Sequence, residues 1–174
     1  GVGAIGSASF FSDLGHEVPT ALLPSLLTST LGAPAAALGL IEGVADGLAG
    51  AAKLAGGALA DDPERRRATA VGGYTATAVL SSAIGLATAA WQVGVLRSGA
   101  WIARGVRGPS RNALLANVAA PSAYGRAYGF ERAMDNLGAI GGALLALALV
   151  ATVGVRGAIR LSGVAGLLAA GAIG

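Results

Sequence analysis

The chain has 174 residues, of which 54% are hydrophobic and only 12% are charged, and its mean hydropathy is +0.68. A water-soluble domain of this size needs more polar surface than these residues supply, so the composition is typical of a membrane protein. The net charge of +3 does not indicate a nucleic-acid partner, because the arginines form neither a basic tail nor an aromatic-studded patch. The absence of cysteine excludes a disulfide framework and a thiolate metal site.

Hydrophobic segments separated by short turn sequences predict six transmembrane helices, each long enough to cross a bilayer. The breaks are STLGAP, DDPERRR, AAW, NVAAPSAYG and VGVRG. Such short links make consecutive helices antiparallel neighbours, so the expected fold class is an all-α membrane protein. The helices are placed at residues 4–30, 35–60, 67–90, 92–117, 124–152 and 157–174.

The first helix carries an ionisable stripe formed by Ser9, Asp13, His16, Glu17 and Thr20 at helical spacing. Asp13 and Glu17 lie one turn apart in apolar surroundings, which predicts that they take up protons or hold a cation. The alternative is that both acids pair with arginines and only hold helices together. His16 is either a third member of this proton-coupling or substrate cavity or a packing histidine, and no metal site is expected.

The second helix places Glu42, Asp46 and Lys53 on one face, because separations of four, seven and eleven residues return to nearly the same angle. These helix-interface charges are expected either to pair structurally or to couple to transport, with Lys53 as counter-ion to an acid. Small residues allow close helix contact in membranes, so another helix is expected along the glycines of this segment. Those glycines are Gly39, Gly43, Gly47 and Gly50.

Arginines concentrate at the second and fourth breaks, whereas the first and third breaks contain none. Cytoplasmic loops of membrane proteins retain arginine and lysine. We therefore expect a multi-pass protein of the cell (inner) membrane, with both chain termini on the cytoplasmic side. The arginines at these two breaks or their flanks are Arg65, Arg66, Arg67, Arg104, Arg107, Arg111, Arg126 and Arg132.

The fourth helix aligns four arginines, Arg97, Arg104, Arg107 and Arg111, if it stays helical through Pro109. Arg97 lies deepest and is expected either to bind an anionic substrate group, to gate an acid, or to form a fixed salt bridge. The other three are interpreted as anchors at the cytoplasmic face.

The fifth helix repeats this design with a stripe of Tyr128, Glu131, Asp135, Gly138 and Gly142. Its two acids lie near the cytoplasmic end, so a gate or an interdomain salt bridge to the arginines is favoured over substrate contact. The sixth helix has no ionisable residue after Arg160.

The segment GALADDPERRR resembles the loop between the second and third helices of major facilitator superfamily transporters, and Gly57, Asp61, Arg65 and Arg66 match its pattern in register. Further likeness lies in FFSDLGHE, ARGVRGPSRNALLAN and GRAYGFERAMDNLGAIGGALLA. The resemblance implies the amino-terminal half of a bacterial subgroup that is mostly uncharacterised or assigned to efflux. It implies a six-helix half-bundle of two inverted three-helix repeats. From the charges at the inner face we expect Asp61 to form a breakable latch to the fourth helix.

The function expected from this resemblance is secondary active transport of a small molecule by alternating access, coupled to protons and directed outward. No cofactor is expected. An intramembrane enzyme is disfavoured, because the chain has one histidine and neither a serine elbow nor a zinc-binding helix.

The partners expected are the small-molecule substrate, protons, membrane lipid and a second six-helix half. That half is expected to be the remainder of a longer chain, which the apolar ending GLLAAGAIG favours, or else a second copy. A membrane scaffold or assembly subunit that transports nothing is the alternative class.

Overall fold

The computed structural model describes residues 1–174 and contains helices but no strands. A π-helical turn, Leu26–Thr30, continues the first helix, and two 3-10 turns, Ile84–Leu86 and Pro121–Ala123, precede the fourth and fifth. The five helices are α1 Val2–Ser25, α2 Ala35–Asp61, α3 Pro63–Ala83, α4 Ala90–Val118 and α5 Tyr124–Ile173.

Helix α5 is divided by one residue, Gly154, whose φ of 72° is not helical. Residues with a side chain rarely adopt this conformation, so glycine is required at the break. We refer to residues 124–153 as the first arm of α5 and to residues 155–173 as its second arm. The break falls inside the predicted VGVRG link.

The predicted third helix, 67–90, is wrong at both ends. Helix α3 begins at Pro63, where proline suits the first helical position, and the Asp62 side chain accepts a hydrogen bond of 3.0 Å from the Glu64 N–H. The helix ends at Ala83, where the chain enters the 3-10 turn Ile84–Leu86, and the carbonyl groups of Gly85 and Ala87 accept hydrogen bonds from Arg156. The acidic and basic cluster therefore forms a helix start rather than a loop.

Helix α1 packs against both arms of α5, and it runs parallel to the first arm and antiparallel to the second. In the contacts with the first arm, residue numbers rise together along both helices, as they do in a parallel pair. On the second arm, Gly15 contacts Gly166. The contacts that define the parallel pair are Gly6 with Phe130, Phe10 with Gly138 and Leu14 with Gly141.

Helix α4 is the corresponding centre for α2 and α3. It runs parallel to α2, since Ile41 meets Gly94 and Ala49 meets Gly105, and antiparallel to α3. Helix α3 in turn runs antiparallel to the second arm of α5, so the six helical segments alternate in direction along the chain. The contacts of α3 that set these directions are Leu80 with Gly99, Gly73 with Arg107, Ser82 with Gly163 and Ala78 with Gly166.

The glycines predicted to receive a neighbouring helix do not do so. Nothing lies within 4 Å of a Cβ built on Gly39, Gly43, Gly47 or Gly50, so this row of α2 is open. The neighbour α4 instead approaches Gly56, where an added Cβ would collide with the Val106 backbone.

Length and composition single out two stretches that could cross a membrane, Ala35–Asp61 and Pro121–Ile173. This is fewer than the six predicted spans. Helix α3 starts with four charged residues and α4 contains four arginines, which lowers the hydropathy of both.

The two ends of the bundle differ in what fills them. At the end where α1 meets the Leu26–Thr30 turn, twelve buried apolar side chains form the largest core cluster, centred on Leu23, Leu27 and Ile159. The opposite end contains both chain termini and the α2–α3 and α4–α5 links. We call it the charged end, because the ion pairs of Arg111 and Arg132 and a cavity lined by five cations lie between it and the middle of the bundle.

Candidate functional site

Arg97 is buried, with 1% of its surface exposed, and it pairs with Glu42, whose side chain is 32% exposed. Its Nε and Nη2 donate to the two carboxylate oxygens of Glu42 at 2.9 and 3.0 Å, and its Nη1 donates to Thr20 Oγ1 at 3.0 Å. All three nitrogens therefore have a protein partner. This geometry favours the fixed salt bridge among the roles predicted for Arg97.

Trp101 organises this pair, and sequence reasoning missed it. Its ring centroid lies 3.6 Å from the Arg97 guanidinium carbon, and its Nε1 donates to Asp46 Oδ1 at 2.8 Å. The edge of its ring faces His16, with 5.5 Å between centroids. Its spacing of four residues from Arg97 placed both on one helix face, which could have indicated a cation–π contact.

Asp13 and His16 lie together in the interior, with 6% and 4% of their surfaces exposed. His16 Nδ1 is 3.3 Å from Asp13 Oδ1 and 2.9 Å from the Ser12 carbonyl oxygen. Arg104 Nη2 approaches the same Asp13 oxygen at 3.8 Å. The structure thus brings together two residues of the predicted stripe with one arginine of α4.

Glu17 is set apart from this group. It is half-buried and forms no ion pair or side-chain hydrogen bond, and its Cβ faces Gly142. Asp13 and Glu17 therefore have different surroundings although they lie one turn apart, and only Asp13 has charged partners.

Helix α4 continues through Pro109 and directs Arg107 into the bundle rather than toward its surface. Arg107 Nη2 donates to Ser12 Oγ at 2.8 Å, and its guanidinium lies 4.0 Å from the centroid of Tyr74. It forms no ion pair, and its Nη1 has no hydrogen-bond partner. Only 3% of the Arg107 surface is exposed, and its role as an anchor at the cytoplasmic face stays a prediction.

A second ion-pair network joins α4 to the first arm of α5. Arg111 Nη1 lies 3.0 Å from Glu131 Oε1 and 3.7 Å from Asp135 Oδ1, while Arg132 Nη1 donates to Asp135 Oδ2 at 3.0 Å. Ser9 Oγ donates to Glu131 at 2.7 Å and so links α1 to the network. The acids of α5 therefore pair with arginines of this same chain.

A cavity of about 530 Å³ opens between α2, α4 and the first arm of α5. Its wall contains two carboxylates, Asp46 and Asp135, and more cations than acids. Lys53 is among them and forms no ion pair, so its prediction as counter-ion to an acid is wrong. The cations on the wall are Lys53, Arg104, Arg107, Arg111 and Arg132.

The charged end does not contain the predicted latch. Asp61 is exposed and forms no ion pair within the chain, and Gly57 faces open space. Arg66 connects α2, α3 and α4 instead, because its Nε donates to the Ala60 carbonyl at 2.6 Å and its Nη1 to Asn117 at 3.3 Å. Arg65 pairs only with exposed Asp62.

Comparison with known proteins places these features in a family. Residues 5–173 match the model of the Major Facilitator Superfamily. The chain is 31% identical, over 88% of its length, to uncharacterized proteins of Mycobacterium tuberculosis (strain H37Rv) and Mycobacterium bovis. It is 27% identical, over 84% of its length, to an uncharacterized MFS-type transporter of Methanocaldococcus jannaschii.

These relatives are longer proteins, since the aligned part covers 37% of the mycobacterial ones and 36% of the archaeal one. The family match spans almost the whole of this chain. The chain therefore belongs to the major facilitator superfamily, whose members are membrane-embedded transporters.

Proposed function

We propose that this chain is one half of a secondary active transporter that exports a small molecule by alternating access. Family membership and the alternating direction of six helical segments support this proposal. Outward transport is supported by the likeness of its motifs to a subgroup whose members are mostly uncharacterised or assigned to efflux.

In this proposal the two arms of α5 are separate spans, which gives six spans in all. Both termini then lie on the cytoplasmic side of the inner membrane. The charged end carries Arg65, Arg66, Arg67 and Arg126, whereas the apolar end carries Arg156 and Arg160. Arginine is retained on the cytoplasmic side, so the charged end is the inner one.

The packing pattern supports two inverted three-helix repeats. Helix α1 packs between the two arms of α5, and α4 packs between α2 and α3. Each central helix has one parallel and one antiparallel neighbour. The first three helical segments and the last three are expected to show this pattern if they form two equivalent units of opposite orientation.

Proton coupling is the part of the proposal that rests on Asp13. Ionisable groups within a membrane are costly and mark functional sites, and Asp13 has an imidazole as its neighbour. The charged and titratable groups that face it are His16, Arg104, Arg107 and Asp135. Loss or gain of one proton at Asp13 would change its attraction to Arg104, which connects α1 to the cavity wall.

Asp13→Asn tests this coupling in proteoliposomes of the full-length protein, with a pH-sensitive dye inside. We expect it to abolish proton flux driven by transported compounds while leaving exchange of labelled compound across the membrane intact. Glu17→Gln is the matched control. It removes the same charge one helical turn away, at a residue that has no ion-pair partner. Unchanged proton flux in Asp13→Asn would overturn the role of Asp13, and absence of proton flux in the unaltered protein would overturn proton coupling itself.

A second six-helix half is also part of the proposal. Apolar side chains such as Leu40 and Val44 on α2 and Leu144 and Leu147 on α5 are exposed by 47% to 71%. The greater length of the relatives favours the remainder of a longer chain over a second copy. The mass of the purified protein in detergent distinguishes a longer chain from two copies of this chain.

A scaffold that transports nothing is tested separately. After substitution of cysteine at position 13, a scaffold would leave that cysteine unlabelled from both sides of the membrane.

A further inference from the structure

We propose that the cavity between α2, α4 and the first arm of α5 binds an anionic small molecule, with Lys53 and Arg104 as its direct ligands. The chemical class is a carboxylate or phosphate compound. This inference rests on the proposed transport function, because it names the substrate class that the cavity would accept.

Part of the positive charge on the wall is already compensated. Arg111 is paired with Glu131, and Arg132 is paired with Asp135. The remaining lining carboxylate, Asp46, accepts a hydrogen bond from Trp101. Asp46 has no cationic partner, so three of the five cations on the wall lie outside these ion pairs.

Three cations of the wall lie outside these pairs, and Arg107 among them is buried. The other two, Lys53 and Arg104, are at least partly exposed. Neither side chain donates a hydrogen bond to the protein, and Lys53 has no carboxylate partner. Arg104 lies 3.8 Å from the oxygen of Asp13, which is beyond hydrogen-bond distance, and 5.3 Å from the Trp101 ring centroid, and its side chain is 36% exposed. An ammonium and a guanidinium with free donors favour carboxylate or phosphate oxygens.

Buried donors behind these two strengthen the positive potential. Arg107 Nη1 and Arg111 Nε are buried without a hydrogen-bond partner, and both residues belong to the cavity wall. Arg107 has no acid partner at all. Charge in a poorly solvated wall is weakly screened, so it attracts an anion more strongly than surface charge does.

Small residues bring the two ligands onto one wall. Gly105, next to Arg104, lies against the Ala49 backbone, and Gly56, three residues after Lys53, lies against Val106. Side chains at these positions would push α2 and α4 apart. The close approach leaves a cavity of about 530 Å³, within the range of roughly 300 to 1,000 Å³ that is usual for small-molecule sites.

The test uses the purified full-length protein and measures binding of citrate, malate and inorganic phosphate by calorimetry, with tetraphenylphosphonium as a cationic comparison. We expect at least one anion to bind, and Lys53→Gln and Arg104→Gln each to weaken its binding about tenfold. Lys53→Arg keeps the charge and should restore binding. Arg126→Gln removes an exposed cation that does not line the cavity and should leave binding unchanged.

Three results would overturn the inference: binding of none of the anions at millimolar concentration, equal weakening by Arg126→Gln, or a carboxylate of the second half paired with both Lys53 and Arg104. Proteoliposome transport keeps this failure separate from failure of the proposed function. Transport of tetraphenylphosphonium but of no anion would contradict the anion site and would still support the proposed transport function.

Discussion

Two faces of α2 show how differently one membrane helix can be stabilised along its sides. One face packs against α4 through Ile41, the Glu42–Arg97 pair and the backbone contact at Gly56. The other face exposes Leu40 and Val44 among glycines that touch nothing. The glycine row alone therefore does not reveal which side of a helix is packed within its own domain.

Glu42→Gln should produce the largest loss on the packed face. It removes the carboxylate and leaves Arg97, which is 1% exposed, as a buried unpaired charge. Breaking a fully buried pair costs about 3–5 kcal/mol of unfolding free energy, and this loss should fall near the lower end because the Glu42 side chain is 32% exposed. Chemical denaturation in detergent would measure it.

The double variant Glu42→Leu with Arg97→Leu is the control for this change. Replacing both partners with apolar residues is often neutral, so most of the stability should return. A single Glu42→Gln variant that loses less than about 1 kcal/mol would show that the pair is not desolvated as described.

Gly56→Ala and Gly43→Ala should have effects of opposite sign. The new methyl group at position 56 would collide with the Val106 backbone, and such overpacking costs about 1–3 kcal/mol. At position 43 there is open space, and alanine should add up to about 1 kcal/mol through its higher helix propensity.

Thermal unfolding of the two alanine variants in the same detergent compares them directly. Equal destabilisation by both would mean that the two faces of α2 are equally packed in this half. Association with a second half adds a further readout, because Gly43 lies on the face proposed to be covered by it.

Leu54→Ala should have the smallest effect. Leu54 is 82% exposed, so little packing is lost and the unfolding free energy should change by no more than about 0.5 kcal/mol. Urea or SDS titration of the isolated chain would test this value, and a loss above 2 kcal/mol would contradict the exposure of this face.

Much of the local structure could be predicted from sequence. The predicted link VGVRG contains Gly154, whose backbone conformation suits glycine, and both the predicted second helix and α2 begin at residue 35. The start of α3 was missed, although Asp62 and Pro63 are the cap and first-position residues of a helix. The prediction began this helix at residue 67 because the charged segment DDPERRR was interpreted as a break between helices.

The site was less predictable because its partners come from distant parts of the chain. The sequence pattern placed Glu42, Asp46 and Lys53 on one face, yet the first pairs with Arg97, the second with Trp101 and the third with nothing. Helical periodicity specifies a face, but it does not specify which helix meets that face or at what height.

The sequence by itself determined that the protein is helical and lipid-embedded and that its charges are confined to particular stripes, since composition and periodicity act over a few turns. Only the tertiary structure decided that Arg97 is fully engaged, that Arg107 is buried without an acid, and that Lys53 faces a cavity. The physical reason is that the partner of a buried charge depends on helix direction and close approach. Both are set by backbone contacts at glycines such as Gly56, Gly105 and Gly138, which lie far from one another in the sequence.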